Sequence, residues 1–560
     1  MKSRVRSICF LCVLFASAVN ALALDREAFT FTQYDLNVRI EPDQQRLGVR
    51  GKITLRNDTA IPQKIAVLQV SSSLDWRSIQ ADGQPVQFVS QTYTSDIDHT
   101  GALSEAVVTL PQAVGPKGTV ELEIAYEGVV LLDAARLTRI GTPESAANST
   151  HWDQISAKFS AVRGVGYVAW YPIATEAADL TENDGLFGVL GRWKNREAGS
   201  KMEISFDSPT VSGDVAAPLT LCGGTDLHAV PPEGNAKPLQ SKCSYQPLGL
   251  SVPAFVMAHY GVVDRQAITV YNLPEHAVAA EAYAEAAEKA SGLISDWFGA
   301  LRTKPVTADL IDPSAAPFES GALLLTPLTQ DAKLSGLVAA HQLTHAAFVS
   351  PRPWINEGLA HFAQALFLER QRGRQSALDY MGLHRSIFAE AEKRTTTPRP
   401  EDDVNRSLVN TTNEELYRSK AMYVWWMLRD MLGDPALKKA LATYHPEQDQ
   451  EPSYMPRLIQ AQTKRDLEWF FDDWVYRDRG LPDFKVESAF SRTTMNNAHL
   501  LTITVENLGA AGAEVPLTVR FAGGEIGQRL EVRAKSKAVA KPRPALPPVM
   551  MIVFFFMRCD

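Results

Sequence analysis

From Phe29 to about Val262, apolar and polar positions alternate along the chain. The segments QYDLNVRIEP, RLGVRGKITLRND, KIAVLQVS, EAVVTLP and TVELEIAYEGVV switch sides residue by residue and are rich in β-branched side chains. That is the pattern of strands with one face buried. Turn clusters such as Glu41-Pro42-Asp43 and Gly115-Pro116-Lys117-Gly118 separate them. No helical period of useful length interrupts. The pattern predicts an all-β domain over residues 24–265, built of two or more packed sheets.

The period then changes. After a strand near Ala267 to Tyr271, Glu275 to Trp297 repeats apolar residues at three- and four-residue steps and stops at Gly299. VTADLIDP and FESGALLLTPL read as short strands, with the leucines of the second in a buried one. Further helices are predicted over Glu357 to Arg370, Gln375 to Lys393, Asn413 to Leu432 and Asp466 to Asp478. Gly373 and Gly433 sit at stop positions for two of them. Arg394 to Asn410 is polar, holds Pro398 and Pro400, and reads as a loop. Alternation returns from Lys485 to Arg543 as a small β-sandwich. Nine apolar residues from Val549 to Met557 are too short to span a membrane and are compatible with a final strand. The fold class is therefore a multidomain α+β chain, with units at 24–265, 266–484 and 485–560.

At 560 residues the chain exceeds one ordinary core. A hydrophobic fraction of 45% and a charged fraction of 21% are those of a folded soluble protein. The net charge of −8 gives no basic surface for nucleic acid. Residues 1–23 read as a signal peptide: Lys2, Arg4 and Arg6, an apolar run from Ile8 to Val19, then Ala21-Leu22-Ala23 before a mature start at Leu24. A membrane anchor is the alternative, and the run is short for one. No other span is expected, and the location is secreted or periplasmic. Of the five cysteines, Cys222, Cys243 and Cys559 survive cleavage. In an oxidising compartment Cys222 and Cys243 can close a Pro-, Gly- and Lys-rich loop; two free thiols are the alternative.

The chemistry concentrates between Asp331 and Gln364. His341 and His345 stand four apart in an apolar helical pattern that includes Leu334, Leu337, Val338, Thr344 and Phe348. This spacing puts both imidazoles on one helix face, within reach of one metal ion. Ser350-Pro351-Arg352-Pro353 breaks the helix. A second helix begins near Trp354 and carries Glu357, a third ligand candidate. HxxxH alone equally describes two core or surface histidines.

With Trp354-Ile355-Asn356-Glu357-Gly358-Leu359-Ala360 following His341-Gln342-Leu343-Thr344-His345, the stretch resembles the zinc helices of the aminopeptidase N family of gluzincin metallopeptidases. The likeness implies an N-terminal β-sandwich or saddle domain, a thermolysin-like and mainly helical catalytic domain, and a C-terminal β-sandwich. It implies zinc on His341, His345 and Glu357, and a peptide or protein substrate. Asn356 is a candidate to orient Glu357, and His361, one turn beyond Glu357, either supports the ligands or faces solvent. Tyr417, in Tyr417-Arg418-Ser419-Lys420, matches the family tyrosine that stabilises the oxyanion. Gly321-Ala322 match the start of the family's substrate-binding edge strand, an element that can pair with an extended peptide. WFFDDWV followed by Gly480-Leu481-Pro482 resembles the end of the catalytic domain.

The departures matter as much. Gln342 stands where the family has its general-base Glu. It has the shape to hydrogen-bond a metal-bound water but cannot accept and hold a proton, and loss of a positioned base costs about 10²–10⁴ in rate. Leu324 replaces the family Glu that grips the substrate's amino terminus, and Glu319 lies nearby in sequence. The spacer from His345 to Glu357 is shorter than the family's. Three functions remain open: a weakened zinc metallopeptidase, a pseudo-peptidase that binds peptides without cutting, and a scaffold without zinc.

Overall fold

The structure is a computed structural model that describes residues 24–181, 185–207, 218–224, 228–230, 240–301, 303–395, 407–409, 411, 415–477, 480–493, 499–521, 524–543 and 548–553. The signal-peptide segment, most of the polar loop after residue 395, and the chain end beyond Val553 lie outside the described residues.

The alternating N-terminal segments form an eight-stranded sheet and a three-stranded sheet. The two share one core, in which Phe31, Leu36, Val38, Ile53, Leu68 and Trp170 are fully buried. The first two long strands, Phe29–Glu41 and Arg46–Asn57, pair antiparallel, and from Tyr34 to Ile40 the buried positions of the first fall at every second residue as the sequence pattern requires. One expectation fails here. A 12-residue helix, α1 (Leu186–Glu197), interrupts the β region. Gly188 and Gly191 lower its helix propensity, and its only sign is the buried pair Val189 and Trp193, one turn apart. Cys222 and Cys243 are joined by a disulfide, Cα to Cα 6.4 Å. It ties the Leu219–Cys222 strand to the Gln240–Tyr245 strand of the eight-stranded sheet.

A five-stranded sheet follows: β1 (Gly261–Asp264), β2 (Thr269–Asn272), β3 (Val306–Asp309), β4 (Phe318–Ser320) and β5 (Leu323–Thr326), in the order β1-β2-β3-β5-β4. The sequence suggested one continuous strand over the β4–β5 stretch. It is a hairpin instead, with Gly321-Ala322 as its two-residue turn, so the edge strand is β4. Gly321 has φ +59°, and a Cβ there would meet the Gly223 carbonyl oxygen at 2.7 Å. Only glycine suits both constraints. All four β5 residues are buried, as expected for these leucines. Leu323 and Leu325 pack toward the N-terminal strands, while Leu324 packs toward the helices.

The helices cover that second face: α2 (Ala277–Phe298), α3 (Ala332–Ala347), α4 (Pro353–Arg372) and α5 (Arg374–Thr395), then a π-helical turn Glu415–Lys420 continuing into α6 (Ala421–Leu432). Buried alanines at 280, 284 and 287 let α2 lie close to the sheet and to α3. Asp331 caps α3, accepting from Lys333 N at 2.8 Å and Leu334 N at 3.2 Å. Leu343 is wholly buried, which stabilises α3 by about 1.5–3 kcal/mol. Leu334, expected on the buried face, is 50% exposed because it lies in the first turn, short of the core. Trp354 of α4 stacks on Trp425 of α6 at 5.3 Å. The aromatics at 469–471 and 474 are core residues, and Trp474 Nε1 donates to the Gly512 carbonyl at 2.8 Å, fastening the helical unit to the last β unit. That unit is two three-stranded sheets around Leu501, Ile503, Val505 and Leu517, and its final strand is Pro548–Val553. Among the described residues no helix is long and apolar enough to cross a membrane.

Candidate metal centre

Two elements set the site: the first helix turn after the Pro353 break, and the last two turns of α3. The eleven residues between His345 and Glu357 turn the chain back so that α4 lies against α3. The side chains converge. His345 Nε2 lies 3.1 Å from His341 Nε2. Glu357 Oε1 lies 3.4 Å from His345 Nε2, and Glu357 Oε2 lies 3.8 Å from His341 Nε2. Donors bound at about 2.0–2.2 Å around one tetrahedral zinc stand about 3.3 Å apart. The three sequence-predicted ligands therefore fit a zinc ion without rearrangement of the backbone.

The electrostatics suit the same group. Burial, with the His345 charge next, holds His341 down at about 3, so its ring is neutral and offers a lone pair. Burial pushes the Glu357 carboxyl up, but His345 and Arg418 outweigh it and hold it down at about 2. Glu357 is thus an anion with a cation beside it: Arg418 Nε is 3.3 Å from Glu357 Oε2. Lys194 of α1 also feels Glu357, which opposes the downward push of burial on its amine.

Second-layer contacts fix the rings. Asn356 was expected to orient Glu357, but the structure puts it on His345. Asn356 Oδ1 accepts from Ser350 N at 3.1 Å, and Nδ2 lies 3.0 Å from His345 Nδ1. A metal on Nε2 would need the ring proton on Nδ1, the nitrogen that faces the Asn356 amide. His361 stands edge-on to His341 at 5.0 Å and to His384 at 5.5 Å, extending a row of imidazoles along α4 and α5.

Gln342 is tied down inside the fold, beside Glu319. Its Oε1 accepts from the Tyr283 hydroxyl at 2.8 Å, its Nε2 donates to the Leu325 carbonyl at 3.1 Å, and the residue is 0% exposed. These two bonds tether the side chain to α2 and β5. Tyr417 lies on the π-helical turn, one residue before Arg418, and its ring packs edge-on against Phe187 at 5.5 Å. Such widened turns recur at functional sites. Gly321 and Ala322 are turn residues, and the Ala322 carbonyl accepts from Val306 N within the sheet.

Glu319, noted in the sequence only as lying near the Leu324 position, comes close to the two histidines. It pairs across the hairpin with Leu324, so both side chains leave the sheet on the helical face. One carboxylate oxygen of Glu319 and one nitrogen each of His341 and His345 all lie within 4.8 Å of one another. The signal was present: a two-residue Gly-containing turn fixes which residues face each other across a hairpin.

No protein-family model matches the sequence, and no curated protein matches it. Among solved structures, the chain is similar to an M1 zinc metallopeptidase from Deinococcus radiodurans, crystallised as a glutamate-to-alanine variant bound to a Tyr-Ser-Ala substrate. The TM-score is 0.51 at 17% identity, covering 82% of this chain and 96% of that one. The likeness is one of fold: this chain has the multidomain mixed α and β architecture of an M1 metallopeptidase.

Proposed function

We propose that this chain is a secreted or periplasmic zinc-binding, peptidase-like protein of the aminopeptidase N type, which binds peptides and hydrolyses them weakly. The observation that carries the reading is the convergence of His341, His345 and Glu357 at zinc-ligand spacing. Bound there, zinc supplies a Lewis acid that polarises a peptide carbonyl. The chain's own groups then have defined tasks. Tyr417 is the candidate to donate to the developing oxyanion, and the edge strand β4 offers main-chain groups to an extended peptide. Glu357 and His345 keep their orientation through Arg418 and Asn356.

A second reading, a pseudo-peptidase that binds without cutting, is favoured by one observation. Gln342 cannot hold a proton, and its amide is already engaged by Tyr283 and Leu325. The Cys222–Cys243 disulfide and the signal-like first 23 residues support an oxidising compartment.

The test is calorimetric binding of a broad peptide mixture to the zinc-loaded mature protein, run beside a hydrolysis assay on the same mixture. Peptide binding with turnover about 10²–10⁴ below that of an enzyme with a positioned base is expected. No peptide binding in the presence of zinc overturns the proposal. Brisk hydrolysis overturns the reading of Gln342.

A further inference from the structure

Glu319 brings a second carboxylate to the site. Its Oε1 is shut off from solvent and has no hydrogen-bond partner among the described residues. Glu357, the other carboxylate of the site, has Arg418 at ion-pair distance. Burying a carboxylate oxygen without a partner is costly, and a second carboxylate close by adds repulsion.

Its position follows from the backbone. Opposite residues in an antiparallel pair share a face, and Leu324, opposite Glu319, is packed among the helices. The Glu319 carboxylate therefore comes from the floor of the site, while His341, His345 and Glu357 come from α3 and α4. It lies within 4.8 Å of the donor nitrogens of both histidines.

We propose that Glu319 is the fourth protein ligand of the metal, closing a site of two imidazoles and two carboxylates. The inference rests on the zinc reading of His341, His345 and Glu357 given above and, of the two functional readings, goes with the one in which peptides are bound without being cut. A metal site with four protein ligands is of the closed, structural kind, whereas a catalytic one keeps a position for water or substrate. Gln342 fits this arrangement. With no water on the metal to activate, a base at position 342 has no task, and its side chain serves instead to tie α3 to β5 and α2. In this protein the metal then holds the β4–β5 hairpin against α3 and α4.

The experiment uses the full mature chain loaded with zinc or cobalt(II). Zinc affinity is measured by chelator competition for wild type, Glu319→Gln and Glu357→Gln. Cobalt(II) spectra of wild type are recorded with and without acetohydroxamate, a small chelating ligand that needs an open position. Glu319→Gln is expected to weaken zinc by at least the 10–100-fold that loss of an outer-layer partner typically costs. The wild-type cobalt spectrum is expected to stay unchanged on adding acetohydroxamate. A wild-type spectrum that shifts with acetohydroxamate, or unaltered zinc affinity in Glu319→Gln beside a clear loss in Glu357→Gln, overturns the fourth ligand and leaves the three-ligand site standing. Wild type that takes up no zinc overturns both. The spectrum needs no variant, so it decides the question even if Glu319→Gln fails to fold.

Discussion

Restoring the family carboxylate by Gln342→Glu is the obvious attempt to create a peptidase, and the structure says that it fails. Gln342 is 0% exposed, donates to the Leu325 carbonyl at 3.1 Å and accepts from Tyr283 at 2.8 Å. The substitution leaves the Tyr283 bond possible but replaces the donor facing Leu325 with an oxygen. A buried acceptor deprived of its partner costs about 1–3 kcal/mol, and more when the group facing it is charged. At about 2–4 °C per kcal/mol for a unit of 150–250 residues, the melting midpoint falls by roughly 2–12 °C. The introduced carboxyl is buried beside Glu319, so its folded pKa lies above its unfolded one. Extra protons are then bound in the folded state, and the penalty grows as pH rises through that interval. The assay is thermal unfolding of both proteins at acidic and at mildly alkaline pH, with peptide hydrolysis in the presence of zinc. An unchanged midpoint together with new, vigorous turnover would refute the tether and put position 342 back beside a metal-bound water.

Three further outcomes are expected. Asn356→Asp keeps an acceptor for Ser350 N and gives His345 Nδ1 a permanent acceptor, so zinc affinity rises, within the roughly 10–100-fold scale of such partners; chelator competition reads it, and weaker binding contradicts the tautomer argument. Gly358→Ala drives a Cβ to 2.6 Å from the Ala421 Cβ and 3.0 Å from Trp425 Nε1, so it destabilises by about 1–3 kcal/mol and loosens zinc through the adjacent Glu357; unaltered denaturation and zinc affinity would show that α4 and α6 are not so tightly packed. In metal-free protein, burial and His345 hold His341 at about 3 against an ordinary 6.5, so the unfolded state binds the extra proton and stability is lost as pH falls from about 6.5 toward 3; denaturant titrations should show this acid sensitivity reduced in His341→Gln, and equal pH profiles would contradict it.

Much of the architecture was legible in the chain. The strict alternation around Val38 and Ile53 announced the β units, and the spacing of His341, His345 and Glu357 announced a convergent trio, because a helix face and a proline-broken turn are local rules. What escaped depended on contacts between elements. Helix α1 hides behind two glycines and is held by packing of Val189 and Trp193. The tether of Gln342 needs Tyr283 and Leu325, which come from other elements. Glu319 becomes visible only once Gly321-Ala322 is seen as a turn rather than part of a strand. The role assigned to Asn356 shifted from Glu357 to His345 for the same reason: which neighbour a side chain reaches is decided by how α4 lies on α3.

The most direct measurement is zinc stoichiometry, by elemental analysis, on purified mature wild type and on the His341→Ala, His345→Ala double variant. About one zinc per chain in wild type and none in the variant is the result expected for one two-histidine site. Wild type without zinc, or equal zinc in both proteins, would contradict the metal centre and leave a scaffold of this fold in which the two imidazoles are merely packed together.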